Sequence, residues 1–262
     1  MDKYYSKKKF GQHFLKDEKI LKKISETINI EDKQVIEIGP GKGALTKFLV
    51  EKAKKVIAFE IDKNLSLFLK ETFKNAKNLE LINNDFLKED LSSYKDFVIV
   101  ANIPYNISTD IIFKILENYS NFEHVVLLVQ KEFGKRLCAT KNTKDYSKLS
   151  PSIALFYEAK YCFEVQPTSF FPKPKVISAL VYLKKKNITY NVDYFLFLDF
   201  IKICFSMKRK TLWNNIKHFQ KIDHETFLKI CSKLNIDTLS RPENLDLDQF
   251  INLYNEIMSI NI

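Results

Sequence analysis

The sequence predicts an α/β protein: a Rossmann-like, doubly wound, mostly parallel seven-stranded sheet with an antiparallel edge, followed by a small all-helical C-terminal domain. Three observations carry that prediction. Four short apolar runs, Val35–Ile38, Val56–Ile61, Leu79–Ile82 and Phe97–Ala101, recur with helical stretches between the first three. A fifth run, Val125–Val129, follows a further helical stretch, and strands that alternate with helices pair in parallel. Beyond Lys184-Lys185-Lys186 the strand-like runs stop, and helical stripes such as Phe227, Ile230, Cys231 and Leu234 replace them.

Each element has its own signal. A basic arm (Lys7, Lys8, Lys9) precedes a helix that should begin near Asp17 and bury Ile20, Leu21, Ile24 and Ile28. The stretch Thr109–Asn118 is helical, with Ser108 as its expected cap. Tyr161–Val165 and Val176–Lys184 flank a loop carrying Pro167, Pro172 and Pro174, and read as antiparallel strands closing the sheet edge. The expected domains are therefore residues 1–184, including the basic arm, and residues 185–262.

The 262 residues suffice for one large domain and a small appendage. The net charge of +10 points to a polyanionic partner, although a lysine-rich codon bias would give the same balance. Cys138, Cys162, Cys204 and Cys231 are dispersed without a C-x-x-C pair, so no metal site and no disulfide framework is expected. The first residues lack an apolar core, and no run of about 18 apolar residues occurs. A cytoplasmic protein that makes no use of a membrane is the expectation.

The first strand runs into Glu37-Ile38-Gly39-Pro40-Gly41-Lys42-Gly43. Glycines at a strand-to-helix turn admit positive φ and let a ligand approach the backbone closely. The spacing is E-x-G-x-G-x-G rather than the G-x-G-x-x-G of dinucleotide folds, which tilts the ligand toward S-adenosylmethionine. Taken alone, the motif leaves methyltransferase and dehydrogenase both open. Glu60, followed by Ile61, ends the second strand, where a carboxylate can accept both ribose hydroxyls of either cofactor. Asp62 beside it reads as a helix cap or a surface charge. Asp85 after the third strand could accept from an adenine amine while Phe86 packs on the ring, or could simply terminate the strand.

The fourth strand ends in Asn102-Ile103-Pro104-Tyr105. An exocyclic adenine amine is a weak nucleophile because its lone pair is delocalised into the ring. The Asn102 side-chain oxygen and the Ile103 carbonyl, held extended by Pro104, can accept its two hydrogens and aim the lone pair. Tyr105 offers a flat face for the base. The competing reading is a strand-ending turn with a buried tyrosine.

At this point the chain resembles the ribosomal RNA adenine dimethyltransferase family, which includes bacterial small-subunit enzymes and large-subunit macrolide-resistance enzymes. The resemblance rests on Phe10–Leu15, Glu37–Thr46, Glu60–Asp62, Asp85, Asn102–Thr109 and Phe170–Val176, and so covers nearly the whole chain. It implies that His13, Leu15, Gly39, Glu60, Asp85 and Asn102 line an S-adenosylmethionine site, beside which Gly41 of the glycine turn is a further cofactor candidate. It also implies that Tyr105 and Phe170 sandwich the target adenine, with the loop prolines holding Phe170 across from Tyr105; apart from the resemblance, a stiff hairpin turn with a core phenylalanine is an equal reading. His13 departs from the small-subunit pattern, which usually carries Asn there.

Two features favour the small-subunit branch: the run Tyr105–Thr109, and Phe205–Asn215 in the C-terminal domain. From Phe200 to Ile222 there are six basic residues (Lys202, Lys208, Arg209, Lys210, Lys217, Lys221) and no acidic one. Read as a helical segment with Trp213 and His218 interleaved, it fits phosphate contact; a solvated face is the plainer reading. Lys131, Lys135, Arg136, Lys141, Lys144 and Lys148 form a second basic stretch expected to guide RNA toward the pocket, as are Lys7–Lys9 with Lys173 and Lys175. The implied activity is dimethylation of two adjacent adenines in the 3′-terminal hairpin loop of small-subunit rRNA, by a monomer acting on a pre-formed 30S-like particle. The alternatives are a 23S rRNA adenine methyltransferase conferring macrolide resistance, and a ribosome assembly factor whose methylation is secondary.

Overall fold

The structure, a computed structural model, describes residues 13–207, 209–219 and 222–260. The chain divides into two compact units, one holding the chain up to Gly134 with Glu158–Lys185, the other Lys135–Tyr157 with the chain from Lys186 onward.

In the first unit, β2 (Gln34–Ile38), β3 (Lys55–Phe59), β4 (Leu79–Ile82), β5 (Phe97–Asn102) and β6 (Phe122–Gln130) run parallel, joined by α2 (Ala44–Val50), α3 (Lys63–Thr72) and α4 (Ser108–Glu117). β7 (Tyr157–Val165) and β9 (Ser178–Lys185) complete a seven-stranded sheet of order β4-β3-β2-β5-β6-β9-β7, and β9 pairs antiparallel with β6. The fold class expected from the sequence is the one observed. Val35, Ile36, Val56 and Ile99 are fully or almost fully buried. Such continuous apolar runs suit strands covered on both faces by helices.

The chain order β2-β3-β4 grows outward and then returns to place β5 beside β2. The carboxyl ends of β2 and β5 thus flank the switch point at which open α/β sheets bind ligands. The expected first helix is α1 (Glu18–Ser25), capped by the Asp17 carboxylate, which accepts from the amides of Lys19 and Ile20. Leu21 and Ile24 are buried beneath it.

Two local expectations are corrected. Ser108 does not cap α4 but lies in its first turn, its hydroxyl donating 3.0 Å to the Pro104 carbonyl. A pair of two-residue strands absent from the sequence reading, β1 (Phe14–Leu15) and β8 (Phe170–Phe171), forms a separate antiparallel ribbon, with Phe14 opposite Phe171 and Leu15 opposite Phe170.

The second unit is helical: α6 (Leu149–Phe156), α7 (Tyr194–Cys204), α8 (Leu212–Ile216), α9 (His224–Lys233) and α10 (Leu247–Ser259), with the end of α5 (Lys131–Leu137). Residues 135–157, expected in the first domain, group instead with these helices. The reason is visible in their bonds: the buried Tyr146 hydroxyl donates to the Leu245 carbonyl at 2.9 Å, and Lys141 pairs with Asp246 at 2.6 Å. No helix among the described residues is long and apolar enough to cross a membrane.

Candidate active site

A cavity of about 570 Å³ opens at the carboxyl ends of β2, β3, β4 and β5, and every cofactor residue expected from the sequence lines it: His13, Leu15, Gly39, Gly41, Glu60, Ile61, Asp85, Phe86 and Asn102. Its glycine floor is required by conformation and space. Gly39, Gly41 and Gly43 have φ of +66°, +60° and +80°, in the left-handed region. A Cβ on Gly41 would lie 2.9 Å from the Phe14 ring, and one on Gly43 would run into the Phe73 ring.

Glu60 stands just beyond β3, where its amide continues the ladder by donating to the Ile82 carbonyl at 3.0 Å. Its carboxylate is clamped by two backbone donors, Gly41 N at 3.1 Å and Asp62 N at 2.9 Å. Burial pushes its pKa up, against these hydrogen bonds, which lower it. Carboxylate oxygens have further lone pairs, so the clamped group retains capacity for ribose hydroxyls. Asp62 is the buried cap of α3, accepting from the Asn64 amide. Ile61, half exposed, turns an apolar surface into the cavity. Asp85 caps the turn after β4, one carboxylate oxygen accepting from Leu87 N at 3.1 Å, and the residue also lines the cavity. Phe86 lies edge-on to Phe59 at 5.5 Å.

Glu37 is the buried acid at the head of the glycine motif. It accepts from the Thr46 hydroxyl at 2.7 Å, and burial pushes its pKa up to about 8.

The tetrapeptide after β5 forms another wall. Asn102, Ile103, Pro104 and Tyr105 all line the cavity. Asn102 Nδ2 donates to the His13 carbonyl at 3.4 Å, a long bond that nevertheless orients the amide with Oδ1 as its acceptor end. Ile103 N donates to Leu128 at 3.3 Å, tying the turn back to β6. Tyr105 shares a 2.6 Å hydrogen bond with the fully buried Ser178 hydroxyl. The His13 ring is stacked beside the tyrosine, centroids 5.8 Å apart, while its Nδ1 lies 2.7 Å from the Pro172 carbonyl.

Phe170 is placed differently from expectation. It is 2% exposed and belongs to the core cluster of Leu15, Leu21 and Ile24, whereas Phe171 is 66% exposed and lines the cavity. Successive strand residues point to opposite faces, so β8 sends one ring inward and the other to the cavity. The sequence reading also missed Phe14, whose ring covers Gly41, and Ser178 behind Tyr105. Only the neighbourhood of known motifs hinted at either.

The basic residues scatter. Lys7, Lys8, Lys9 and Lys208 lie outside the described residues, while Arg209, Lys210 and Lys217 are exposed on the second unit. Residues 200–222 are not one helix: α7 ends at Cys204 and α8 starts at Leu212. The intervening loop is gathered around buried Asn215, whose Oδ1 accepts from Ser206 Oγ at 2.9 Å and Met207 N at 2.7 Å, and whose Nδ2 donates to Thr211 O at 3.0 Å. Trp213 packs on Phe227 and His224, at 5.1 and 4.9 Å, so its ring serves the helical core. Lys131 pairs with Glu164 and Lys141 with Asp246, which accounts structurally for two of the lysines expected to guide RNA. Among the described residues, no cluster of three or more His, Cys, Asp or Glu side chains could hold a metal.

A doubly wound sheet with a glycine loop, a ribose-height carboxylate and N-I-P-Y at successive strand ends defines an S-adenosylmethionine-dependent methyltransferase, and the cradle has the space and donor set for that cofactor. The chain matches the model of the ribosomal RNA adenine dimethylase family over residues 4–259, and it belongs to that family. It is 45% identical over 255 residues to the "Ribosomal RNA small subunit methyltransferase A" of Mycoplasmopsis pulmonis, covering 96% of this chain and 99% of the relative. The protein of the same name from Mycoplasma mobile is 45% identical over 251 residues, covering 96% and 98%. Among solved structures, a dimethyladenosine transferase from Plasmodium falciparum superposes with a TM-score of 0.83 at 32% identity, covering 95% of this chain and 98% of that one. The 23S rRNA methyltransferase ErmE gives 0.72 at 26% identity, covering 94% and 99%.

Proposed function

We propose that the chain transfers methyl groups from S-adenosylmethionine to the N6 amino groups of two adjacent adenines in the 3′-terminal hairpin loop of small-subunit rRNA, during ribosome biogenesis. The carrying observation is that Asn102 and Ile103 stand on the wall of the same cavity as the glycine loop, Glu60 and Asp85. Glu60 holds the ribose hydroxyls of the cofactor. Asp85 accepts from its adenine amine, and Ile61 packs on the ring. The cofactor supplies a methyl group on a sulfonium, a leaving group good enough to dispense with a strong general base.

Asn102 Oδ1 and the Ile103 carbonyl accept the two hydrogens of the target amine and draw its nitrogen toward tetrahedral geometry. Tyr105, held by Ser178 and flanked by His13, supports the flipped base. Phe171, exposed at the cavity, takes the covering place that the family pattern gives to Phe170. Positioning of this kind can supply about 7–11 kcal/mol of the barrier.

The small-subunit assignment draws on the names of relatives 45% identical over nearly the full chain, against 26% identity to ErmE. The protein acts as a monomer in the cytoplasm on a pre-formed 30S-like particle, with Arg209, Lys210 and Lys217 contacting phosphates. The test is transfer of labelled methyl to undermethylated small subunits, large subunits and naked rRNA in parallel, with Asn102→Ala as control. Dimethyladenine in small subunits that is lost in the variant is the expected result. Label confined to large-subunit RNA overturns the small-subunit assignment, and label on none of the three overturns the activity.

A further inference from the structure

A second cleft, of about 600 Å³, lies on the first unit between α1 and β7. Lys19, Lys22 and Lys23 of the helix line it with Glu26 just past the helix end, and Lys160, Cys162 and Phe163 line it from the strand. None of these lysines belongs to the basic stretches that the sequence made conspicuous. They are gathered by the fold, since α1 and Lys160 are more than 130 residues apart in the chain.

The helix is two-sided. Leu21, Ile24 and Ser25 are buried, and the three lysines occupy the exposed side. The acids of α1 and its two ends are already engaged. Asp17 caps the helix, Glu18 lies 3.5 Å from Lys47, and Glu26 pairs with Lys52 at 2.9 Å. Among the described residues, no carboxylate stands within ion-pair distance of Lys19, Lys22, Lys23 or Lys160. Four lysines stand against one acid, Glu26, which is paired with Lys52 and also feels Lys22, so the concavity keeps a net positive potential that suits a polyanion. Lys23 Nζ sits 4.0 Å from the centre of the Phe163 ring, which fixes one cation and gives the cleft an aromatic wall.

The helix α1 borders both the cleft and the cofactor cavity. Leu21 of α1 lines the cofactor cavity from the helix's buried face, and exposed Lys16, one residue before the Asp17 cap, lines that cavity as well. A line of cations therefore leads from the mouth of the cavity along α1 to the cleft.

We propose that the α1–β7 cleft is a docking groove for the phosphate backbone of the RNA strand that flanks the target adenine. The proposal rests on the functional reading above. RNA is favoured over an acidic protein or an anionic membrane because the cations begin at the cavity that receives the base. A concave groove with an aromatic wall also suits a strand with exposed bases better than it suits a flat surface.

The experiment measures binding of the full chain to undermethylated small ribosomal subunits as a function of KCl. It compares wild type, the variant Lys19→Ala/Lys22→Ala/Lys23→Ala/Lys160→Ala, and a control with the same charge change on the α3 side, Lys54→Ala/Lys63→Ala/Lys70→Ala/Lys77→Ala. S-adenosylhomocysteine affinity and melting temperature report that each variant is folded. Each lost phosphate contact removes roughly 0.7–0.9 from the slope of log K against log salt. The cleft variant should therefore lose roughly 3 from that slope and bind at least about tenfold more weakly near physiological salt, with the control close to wild type. Equal slopes for wild type and the cleft variant overturn the groove and leave the methylation reading intact, as does an equal loss in the control. Wild type that neither binds nor methylates the subunits overturns both.

Discussion

The hydroxyls of Tyr105 and Ser178 lie 2.6 Å apart, joining the turn after β5 to the first residue of β9 across 73 positions of sequence. Ser178 is fully buried, and burial raises the Tyr105 pKa, so the pair is a neutral hydrogen bond throughout the physiological range. It fixes the rotation of the ring on which the target base is proposed to rest. Ser178→Ala should lower kcat for methyl transfer roughly tenfold, the worth of one buried hydrogen bond, and leave S-adenosylhomocysteine affinity unchanged. Tyr105→Phe should cost a similar factor, and the double variant little more than either alone. Additive losses in single-turnover assays would show that the two hydroxyls act independently.

Phe170 and Phe171 are neighbours with opposite tasks. Phe170 is packed with Leu15, Leu21 and Ile24, so Phe170→Ala should destabilise the protein by about 3–5 kcal/mol in denaturant titration. Phe171 is largely exposed, so Phe171→Ala should leave stability within about 0.5 kcal/mol and raise KM for the RNA substrate. A stable Phe170→Ala protein with a selective loss of RNA affinity would restore the stacking role to Phe170.

That exchange shows where sequence legibility ended. Strands such as Phe97–Ala101 could be located because buried parallel strands are unbroken apolar runs, and Gly39, Glu60 and Asn102 because strand-end chemistry repeats along the chain. The β1–β8 ribbon could not, because two-residue strands carry no periodicity, and its pairing alone decides which phenylalanine faces the cavity. The placement of 135–157 was equally hidden. It depends on long-range bonds, such as that from Tyr146 to Leu245, which leave no local pattern.

Asn215 is a polar side chain that the sequence reading treated only as part of a motif. Its amide gathers Ser206, Met207 and Thr211 into the loop that carries Arg209 and Lys210 outward. Asn215→Ala would remove the acceptor of the Ser206 hydroxyl and the Met207 amide, at about 0.5–1.5 kcal/mol for each bond. The expected outcome is weaker binding to small subunits with unchanged S-adenosylhomocysteine affinity, read by titration calorimetry. Asn215→Asp keeps the acceptor for Ser206 and Met207 and should recover part of the loss. Unchanged subunit affinity in Asn215→Ala would remove this loop from the RNA contact.

Glu37 ties stability to pH. Burial holds its pKa near 8, against an ordinary carboxylate value of 4.5, so between those two pH values the folded state binds more proton than the unfolded chain. Stability must then fall as pH rises through that window, because ionising the folded protein means placing a charge in a dry site that also faces Glu60. The contribution is fully present below about 4.5 and lost once the pH passes about 8. Glu37→Gln keeps the shape and the neutral state, so its melting temperature should decline less between pH 5 and 8 than that of wild type, with the two proteins diverging most at the alkaline end. Parallel melting curves across this range would mean that Glu37 is ionised in the folded protein, with Thr46 and its surroundings sustaining the charge.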